Sequence, residues 1–365
     1  METGQDRWQA GVIDYAPMEG ITTYIYRRLH HRYFPGVDAY YIPFISPSQN
    51  HEFTHKDQRE LDPANNVLDG ARVVPQLMGR NAEDFLWAAE RIASLGYDEV
   101  NLNVGCPSGT VCAKGKGAGM LADPPALERF LDAVCGRTIG LGLKLSVKTR
   151  LGIRSEEEFG KILEIYNRMP LERIIIHPRV RCDYYREPVR MDCFRQSLPL
   201  SRHPVIYNGE IRSVTDAEKF SKVLGISADV SQAWSDTLYR TDELQRQSEL
   251  DETQLRWGES EGRLAGIMIG RGLAANPALA RQLRGGAALS KAELRRFMDE
   301  LYEAYAEAYG QAGAAQSRMK DLWAHTITSF EGEGAERAGR RILKARSRED
   351  YRAAVSRLFD EMELR

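Results

Sequence analysis

The chain has 365 residues and a formal net charge of -2, and 42% of its residues are hydrophobic and 28% charged. These values are ordinary for a soluble globular protein that buries a large core. No apolar run approaches the roughly 20 residues that cross a bilayer, so we expect no membrane partner. The near-neutral charge neither requires nor excludes a nucleic acid, and any such contact would depend on local basic patches.

The cysteines and the N-terminus indicate a reducing compartment. The segment METGQDRWQAG is polar and lacks the apolar stretch of a secretory signal. The five cysteines are odd in number and form no CxxC pair; they are Cys106, Cys112, Cys135, Cys182 and Cys193. We therefore expect a cytoplasmic protein without a disulfide framework and without a metal site.

Short apolar runs alternate with longer amphipathic segments from about residue 12 to residue 285. Eight such runs are present: Val12–Met18, Val37–Phe44, Arg72–Met78, Glu99–Val104, Leu143–Lys148, Arg173–His177, Pro204–Asn208 and Gly266–Ile269. Asn81, Ser155 and Ser290 precede amphipathic segments and are predicted helix N-caps. Eight strand–helix units predict a (β/α)₈ barrel. An open doubly wound sheet is the alternative, but no GxGxxG turn follows the first strand.

Two features interrupt or follow this alternation. Between the seventh and eighth runs the chain is far longer than one helix requires. Its polar residues 229–263 predict an insertion with a helix of its own, which serves as a lid, a partner surface or a surface excursion. After Gly285-Gly286 only helical patterns remain. We therefore predict a barrel domain over residues 1–285 and a small helical domain over residues 286–365.

Polar residues and glycines recur where the predicted strands end, and active residues of a barrel gather at that end. Asn208-Gly209-Glu210 and Gly270-Arg271 follow the last two strands, where barrels often bind phosphate. Lys148 and Gln76 could bond the polar edge of a planar ring, although a buried ion pair is the alternative for Lys148. Cys106, three residues after Asn103, fits acid catalysis by a thiol, because an unperturbed thiol with a pKa of about 8.5 is protonated at neutral pH.

Together these segments resemble the tRNA-dihydrouridine synthase family over essentially the full chain. The motifs that carry the resemblance are APMEGIT, PQLMG, LNVGCPS with GAGMLADP, LSVKTRLG, IIHPR, PVIYNGEI and GIMIGRGLAANP. The resemblance implies a flavin-binding barrel followed by a helical RNA-binding domain. It implies that FMN, reduced by NADPH, delivers hydride to carbon 6 of a uridine in tRNA, and that Cys106 protonates carbon 5.

The resemblance also implies a role for each matching position. Residues against or around FMN would be Pro17, Met18, Gln76, Lys148, His177, Asn208, Gly209, Glu210, Gly270 and Arg271. Asn103, Arg150 and Arg179 would hold the uracil. Asn101, Pro43 and Pro178 depart from common family residues, and these departures leave the target uridine open, including a uridine of ribosomal RNA.

The predicted helical domain is rich in basic residues that could follow RNA phosphates. The candidates are Lys320, Arg340, Arg341 and Lys344, with a solvated helix face as the alternative. Two other functions stay open: a flavin oxidoreductase of a small unsaturated or pyrimidine substrate, and an RNA-binding factor without catalysis. We expect a monomer.

Overall fold

The computed structural model describes residues 11–224, 264–310 and 312–365. Within them, nine parallel strand segments form one sheet in the order β3-β2-β1-β9-β8-β7-β6-β5-β4. The strands are β1 Val12–Tyr15, β2 Ala39–Tyr41, β3 Arg72–Val74, β4 Gln76–Leu77, β5 Glu99–Val104, β6 Lys144–Arg150, β7 Ile174–His177, β8 Val205–Tyr207 and β9 Leu264–Ile269.

The sheet closes into a barrel through Pro75, which separates β3 from β4. β3 pairs with β2 and β4 pairs with β5, so the two segments are one strand whose ladder is broken at the proline. Proline has no N–H to donate, but its carbonyl still accepts from the amide of Asn101 at 2.9 Å. The predicted (β/α)₈ barrel is confirmed, and its eight apolar runs are the eight strands.

Helices cover the outside of the barrel, and only some of them begin at the N-cap residues predicted from the sequence. The barrel helices are Tyr24–Tyr33, His55–Leu61, Ala82–Ser94, Gly109–Cys112, Pro124–Gly140, Glu158–Arg168, Met191–Ser197, Val214–Val223, Arg271–Ala275 and Leu279–Leu283. Asn81 caps its helix as predicted, with Oδ1 accepting from the amide of Asp84 at 3.0 Å. The predicted cap at Ser155 was wrong, because the helix begins at Glu158 and Glu157 is the residue that precedes it. The Glu158 carboxylate still accepts from the amide of Ser155 at 2.9 Å, as in one half of a capping box, and from the amides of residues 153 and 154.

The chain after residue 285 is helical and packs on the barrel. Its helices are Lys291–Tyr309, Ala312–Thr326, Gly332–Lys344 and Arg348–Glu361. Phe297 packs against the ring of Tyr26 on the first barrel helix and against the ring of Phe34, which follows that helix. Thr326 Oγ1 donates to the carbonyl of Ala274 at 3.0 Å, next to the end of β9. The C-terminal helices therefore border the rim at which the strands end. The division at residue 285 stays a prediction, and the predicted insertion at 229–263 lies outside the described residues.

Candidate active site

Cys106 stands directly after β5, held by the last residues of that strand. The backbone N–H groups of Gly105 and Cys106 both donate to Asn103 Oδ1 at 3.0 Å. Burial raises the pKa of the Cys106 thiol; the amide of Ser108 and the charge of Arg150 offset this only in part. The thiol is therefore protonated at neutral pH, as a proton donor requires.

The segment after Cys106 folds tightly back onto it. The Cys106 carbonyl accepts from the amide of Ala118 at 3.0 Å and from Cys112 Sγ at 3.3 Å. Gly117 has a φ of +56°, and a Cβ there would lie 2.9 Å from the same carbonyl oxygen. A side chain at residue 117 would push this segment off the thiol, so the position requires glycine.

Two cationic residues of β6 lie at the barrel mouth, and neither has an acidic partner in the part of the chain that the structure describes. Lys148 lies in register with Asn103 of β5 and keeps part of its surface exposed. Burial of the ammonium, and after it the charge of Arg150, lowers the pKa of Lys148 to about 7. Neither Lys148 nor Arg150 forms an ion pair within residues 11–224, 264–310 and 312–365, so the predicted alternative of a buried ion pair at Lys148 finds no partner there.

Two hydrogen bonds hold the Arg150 guanidinium in place, but not all of its N–H donors are used. Its Nε donates to the carbonyl of Gly105 at 3.0 Å and its Nη1 to the carbonyl of Val180 at 2.9 Å. Its buried Nη2 has no hydrogen-bond partner in the described structure. An unpaired buried guanidinium nitrogen is costly, and a ligand oxygen would relieve that cost.

The residues after β7 and β8 complete a cluster of positive charge. Burial, followed by the charges of four surrounding cations, lowers the pKa of His177 well below its usual value, so its ring is neutral at pH 7. Glu210 binds Arg179 at 2.8 Å, Arg212 at 2.9 Å, and Arg271. Burial alone would raise the pKa of Glu210, but these guanidinium groups outweigh it and lower the pKa. Glu210 therefore opposes three guanidinium groups, and Lys148 and Arg150 add further positive charge, so the mouth favours an anionic ligand.

Tyr185, in the segment after β7, is a site residue that sequence reasoning missed. Its ring is 51% exposed and lies 5.1 Å from the guanidinium of Arg150 and 4.9 Å from that of Arg271. It also meets His177 edge-on at 5.8 Å. The available signal was the pair Tyr184-Tyr185 in an otherwise polar segment, since exposed aromatic residues at a barrel mouth can stack on a planar ligand.

The structure brings most predicted site residues to this rim. Gly270 lies beside Met18, because a Cβ on the glycine would be 3.5 Å from the methionine sulfur. Asn208 Nδ2 donates to the carbonyl of Met268 at 2.7 Å, which ties the end of β8 to β9. Gln76 is fully buried inside the barrel. Pro17, Gly209 and Glu210 follow the ends of their strands as predicted.

The four predicted RNA-binding residues lie apart, on the C-terminal helices. Lys320 Nζ donates to the carbonyl of Ala345 at 3.0 Å and so also caps the neighbouring helix Gly332–Lys344. Arg340, Arg341 and Lys344 are exposed on one face of that helix.

The described residues contain neither a cluster of metal ligands nor a membrane-spanning helix. No group of three or more His, Cys, Asp or Glu side chains is arranged to hold a metal ion there. No helix in that part of the chain is both long and apolar enough to span a membrane.

Comparison with known proteins identifies the family. The chain is 23% identical over 351 residues to the probable tRNA-dihydrouridine synthase 2 of Bacillus subtilis, covering 95% of this chain and 93% of that protein. It is 29% identical over 220 residues to the tRNA-dihydrouridine(16) synthase of Escherichia coli, covering 58% of this chain and 68% of that protein. The match to the probable tRNA-dihydrouridine synthase 1 of Synechocystis is 28% identical over 206 residues and spans 55% of each chain, about half the length of that relative. The sequence model of dihydrouridine synthase (Dus) matches residues 14–231, more than half of the chain, and the chain therefore belongs to the dihydrouridine synthase family.

Proposed function

We propose that this protein is an oxidoreductase that reduces uridine in tRNA to 5,6-dihydrouridine, with FMN as cofactor and NADPH as reductant. The observation that carries the proposal is the pairing of a protonated thiol with an unbalanced cluster of cations at one rim of the barrel. The relatives from Bacillus subtilis and Escherichia coli are both named for tRNA, which supports the same substrate. Ribosomal RNA is an alternative source of the uridine.

The cationic mouth fits an anionic flavin nucleotide. Within the described residues, neither Lys148 nor Arg150 forms an ion pair, and the Nη2 of Arg150 has no hydrogen-bond partner. The residues that would hold FMN are Pro17, Met18, Gln76, Lys148, His177, Asn208, Gly209, Glu210, Gly270 and Arg271. Bound FMN would supply the hydride for carbon 6 of the base. The pKa of Lys148 is about 7. A nearby anion would raise that pKa and hold Lys148 as the ammonium form, which would in turn stabilise the charge of the anion.

The chain's own residues would supply the proton and orient the base. Cys106 would transfer its thiol proton to carbon 5, and the raised pKa keeps that proton in place at neutral pH. Asn103, Arg150 and Arg179 would hold the uracil edge. The base must leave the RNA stack to reach the thiol, which costs a few kcal/mol.

The FMN phosphate would bind Arg271, which is the first residue of the short helix after β9. We expect Arg271→Ala to raise the Kd for FMN about 10- to 100-fold, because a charge-assisted hydrogen bond contributes about 1.5–3 kcal/mol. Arg212→Ala is the matched control, since Arg212 also pairs with Glu210 but is 55% exposed. Fluorescence titration of the purified variants with FMN measures both. An Arg271→Ala protein with wild-type FMN affinity would remove this residue from the phosphate site.

The exposed face of helix Gly332–Lys344 would contact tRNA phosphates. Arg341 and Lys344 have no ion pair among the residues described, whereas Arg340 lies 3.7 Å from Glu336. We expect Arg341→Gln with Lys344→Gln to weaken tRNA binding and to reduce the slope of log K against log salt by about one to two. Arg357→Gln is the control, because Arg357 is already paired with Glu361 at 2.7 Å. An unchanged salt slope in the double variant would assign this face to solvent.

The function is tested with the whole purified protein, FMN, NADPH and unmodified tRNA. Mass spectrometry of the RNA should show a gain of two hydrogens at specific uridines, and it maps their positions. The competing function, reduction of a small pyrimidine, predicts turnover of free uracil or uridine with no change in the RNA. If the protein binds no FMN at saturating concentrations, both flavin-dependent functions are refuted.

A further inference from the structure

A continuous chain of hydrogen-bonded polar side chains runs through the barrel interior from the loop that carries the thiol towards the amino ends of the strands. Asn103 Nδ2 donates to Gln76 Oε1 at 2.7 Å, and Gln76 Nε2 donates to Asn101 Oδ1 at 2.8 Å. Asn101 Nδ2 donates to Ser146 Oγ at 2.8 Å, and Ser146 Oγ donates to Glu99 Oε1 at 2.7 Å. All five side chains are buried. The chain therefore links the rim to the base of the barrel without exposure to solvent.

The lower end of this chain is fixed as an acceptor. Glu99 Oε2 accepts from Arg72 at 2.9 Å and from Arg173 at 3.1 Å, so the group between the two guanidiniums is a carboxylate. A carboxylate can only accept, and Ser146 must therefore give its hydroxyl proton to Glu99. The serine oxygen is then left to accept from Asn101, which points the amide oxygen of Asn101 towards Gln76.

The upper end is fixed as a donor. Asn103 Oδ1 accepts from two backbone N–H groups, those of Gly105 and Cys106, which can only donate. Turning the amide of Asn103 would set N–H groups against those donors and an oxygen against Gln76. One orientation of each amide therefore satisfies every bond, and both ends enforce it.

This orientation decides what Asn103 can offer to a ligand. Its Oδ1 is saturated by two donors, and one Nδ2 hydrogen is used on Gln76. The remaining capacity of the side chain is a single N–H donor. This N–H group can donate to a carbonyl oxygen, but an amino group would set a second donor against it.

We propose that Glu99, Ser146 and Asn101 are positioning residues that act through Gln76 to hold Asn103 as an N–H donor, and that this donor selects the carbonyl at carbon 4 of uracil. The inference rests on the proposed function. Carbon 5 must lie at the Cys106 thiol, and carbon 4 is its ring neighbour on the side away from carbon 6. Cytosine carries an amino group at carbon 4, which Asn103 in this orientation cannot bind.

Two substitutions of Asn101 distinguish two roles for this residue. In the first role, which we call the relay, Asn101 orients the amide of Gln76 through a hydrogen bond; in the second, it only fills space in the barrel. Asn101→Asp keeps an acceptor for Gln76 Nε2, so the amides above it should retain their orientation. Asn101→Leu has a similar volume but leaves that donor unpaired and frees Gln76 to turn. A space-filling role predicts the opposite ranking, because the aspartate adds a second buried carboxylate beside Glu99.

The first readout is the side-chain amide exchange of Gln76 and Asn103, followed by NMR on protein labelled with ¹⁵N at Asn and Gln. We expect exchange at least tenfold faster in Asn101→Leu and near the wild-type rate in Asn101→Asp. Ser146→Ala should also accelerate exchange, and Ser146→Thr, which keeps the hydroxyl, should restore it. Unchanged Asn103 exchange in both Asn101→Leu and Ser146→Ala would overturn the relay.

The second readout is binding of RNA that carries uridine or cytidine at the position found by mass spectrometry. Wild-type protein should bind the uridine form at least tenfold more tightly. Asn101→Leu should lose part of that ratio, because the amides of Gly105 and Cys106 still hold Asn103 Oδ1, and Asn101→Asp should keep the full ratio. An equal ratio in all three proteins would overturn the selection. A protein that forms no dihydrouridine would refute the proposed function. The relay would still be tested, because the exchange rates of the Gln76 and Asn103 side-chain amides are measured without RNA.

Discussion

Replacement of Cys106 by alanine should reduce dihydrouridine formation about 10²- to 10⁴-fold, the usual contribution of a positioned general acid. The variant removes the proton donor and none of the cations at the mouth, so FMN binding and NADPH oxidation should persist. The wild-type rate should stay high through neutral pH and fall when the thiol ionises, because burial raises its pKa and only the protonated form is active.

Cys112→Ala is the matched control for this prediction. Cys112 Sγ donates to the Cys106 carbonyl at 3.3 Å, so this control removes a neighbouring thiol and leaves the Cys106 thiol in place. Stopped-flow measurement of flavin reduction, combined with mass spectrometry of the RNA, separates the two half-reactions. A wild-type yield of dihydrouridine from Cys106→Ala would assign the proton to another group.

Substitution of Asp14 by asparagine should remove a large pH dependence of stability. Asp14 is fully buried inside the barrel, and neither carboxylate oxygen has a hydrogen-bond partner among the residues that the structure describes. Burial raises its pKa from 3.8 to about 7; the charges of Arg173 and Arg72 lower it, and those of Glu99 and Asp38 raise it further.

The folded protein therefore holds a proton on Asp14 that the unfolded chain releases near pH 4. Stability should fall as the pH rises from about 4 to about 7, by at most about 4 kcal/mol, since each unit of pKa corresponds to about 1.4 kcal/mol. Asp14→Asn should flatten this slope, and urea unfolding at pH 5 and pH 8 measures it. Asp192→Asn, at a side chain that is 84% exposed, should leave the slope unchanged. If the unfolding free energy depends equally on pH in Asp14→Asn and in wild type, a group other than Asp14 causes the dependence.

Local patterns predicted the elements better than their boundaries. The eight apolar runs are all strands of the barrel, because burial on both faces of a parallel strand leaves a local signature. The break at Pro75 follows from chemistry that is visible in the sequence, yet the sequence could not show that the barrel closes there. Ser155 has the sequence pattern of a cap, but the helix begins only at Glu158, whose carboxylate accepts from the amides of Arg154 and Ser155.

The site was predictable where it depends on the strand ends. In a parallel barrel every strand ends at the same rim, so Cys106, Lys148, His177 and Arg271 could be placed together from their positions in the chain alone. Tyr185 was not predictable in this way, because its contacts with Arg150 and Arg271 depend on how the segment after β7 folds back over the mouth.

The sequence by itself determined the barrel and the set of polar side chains at its rim, since both follow from periodicity and from the direction of parallel strands. Only the tertiary structure decided how those side chains are paired, charged and oriented. Glu210 binds arginines that lie 31 and 61 residues away along the chain, and the relay from Asn103 to Glu99 crosses three strands. The physical reason is that pKa and amide orientation depend on groups brought close by barrel closure, which no local pattern encodes.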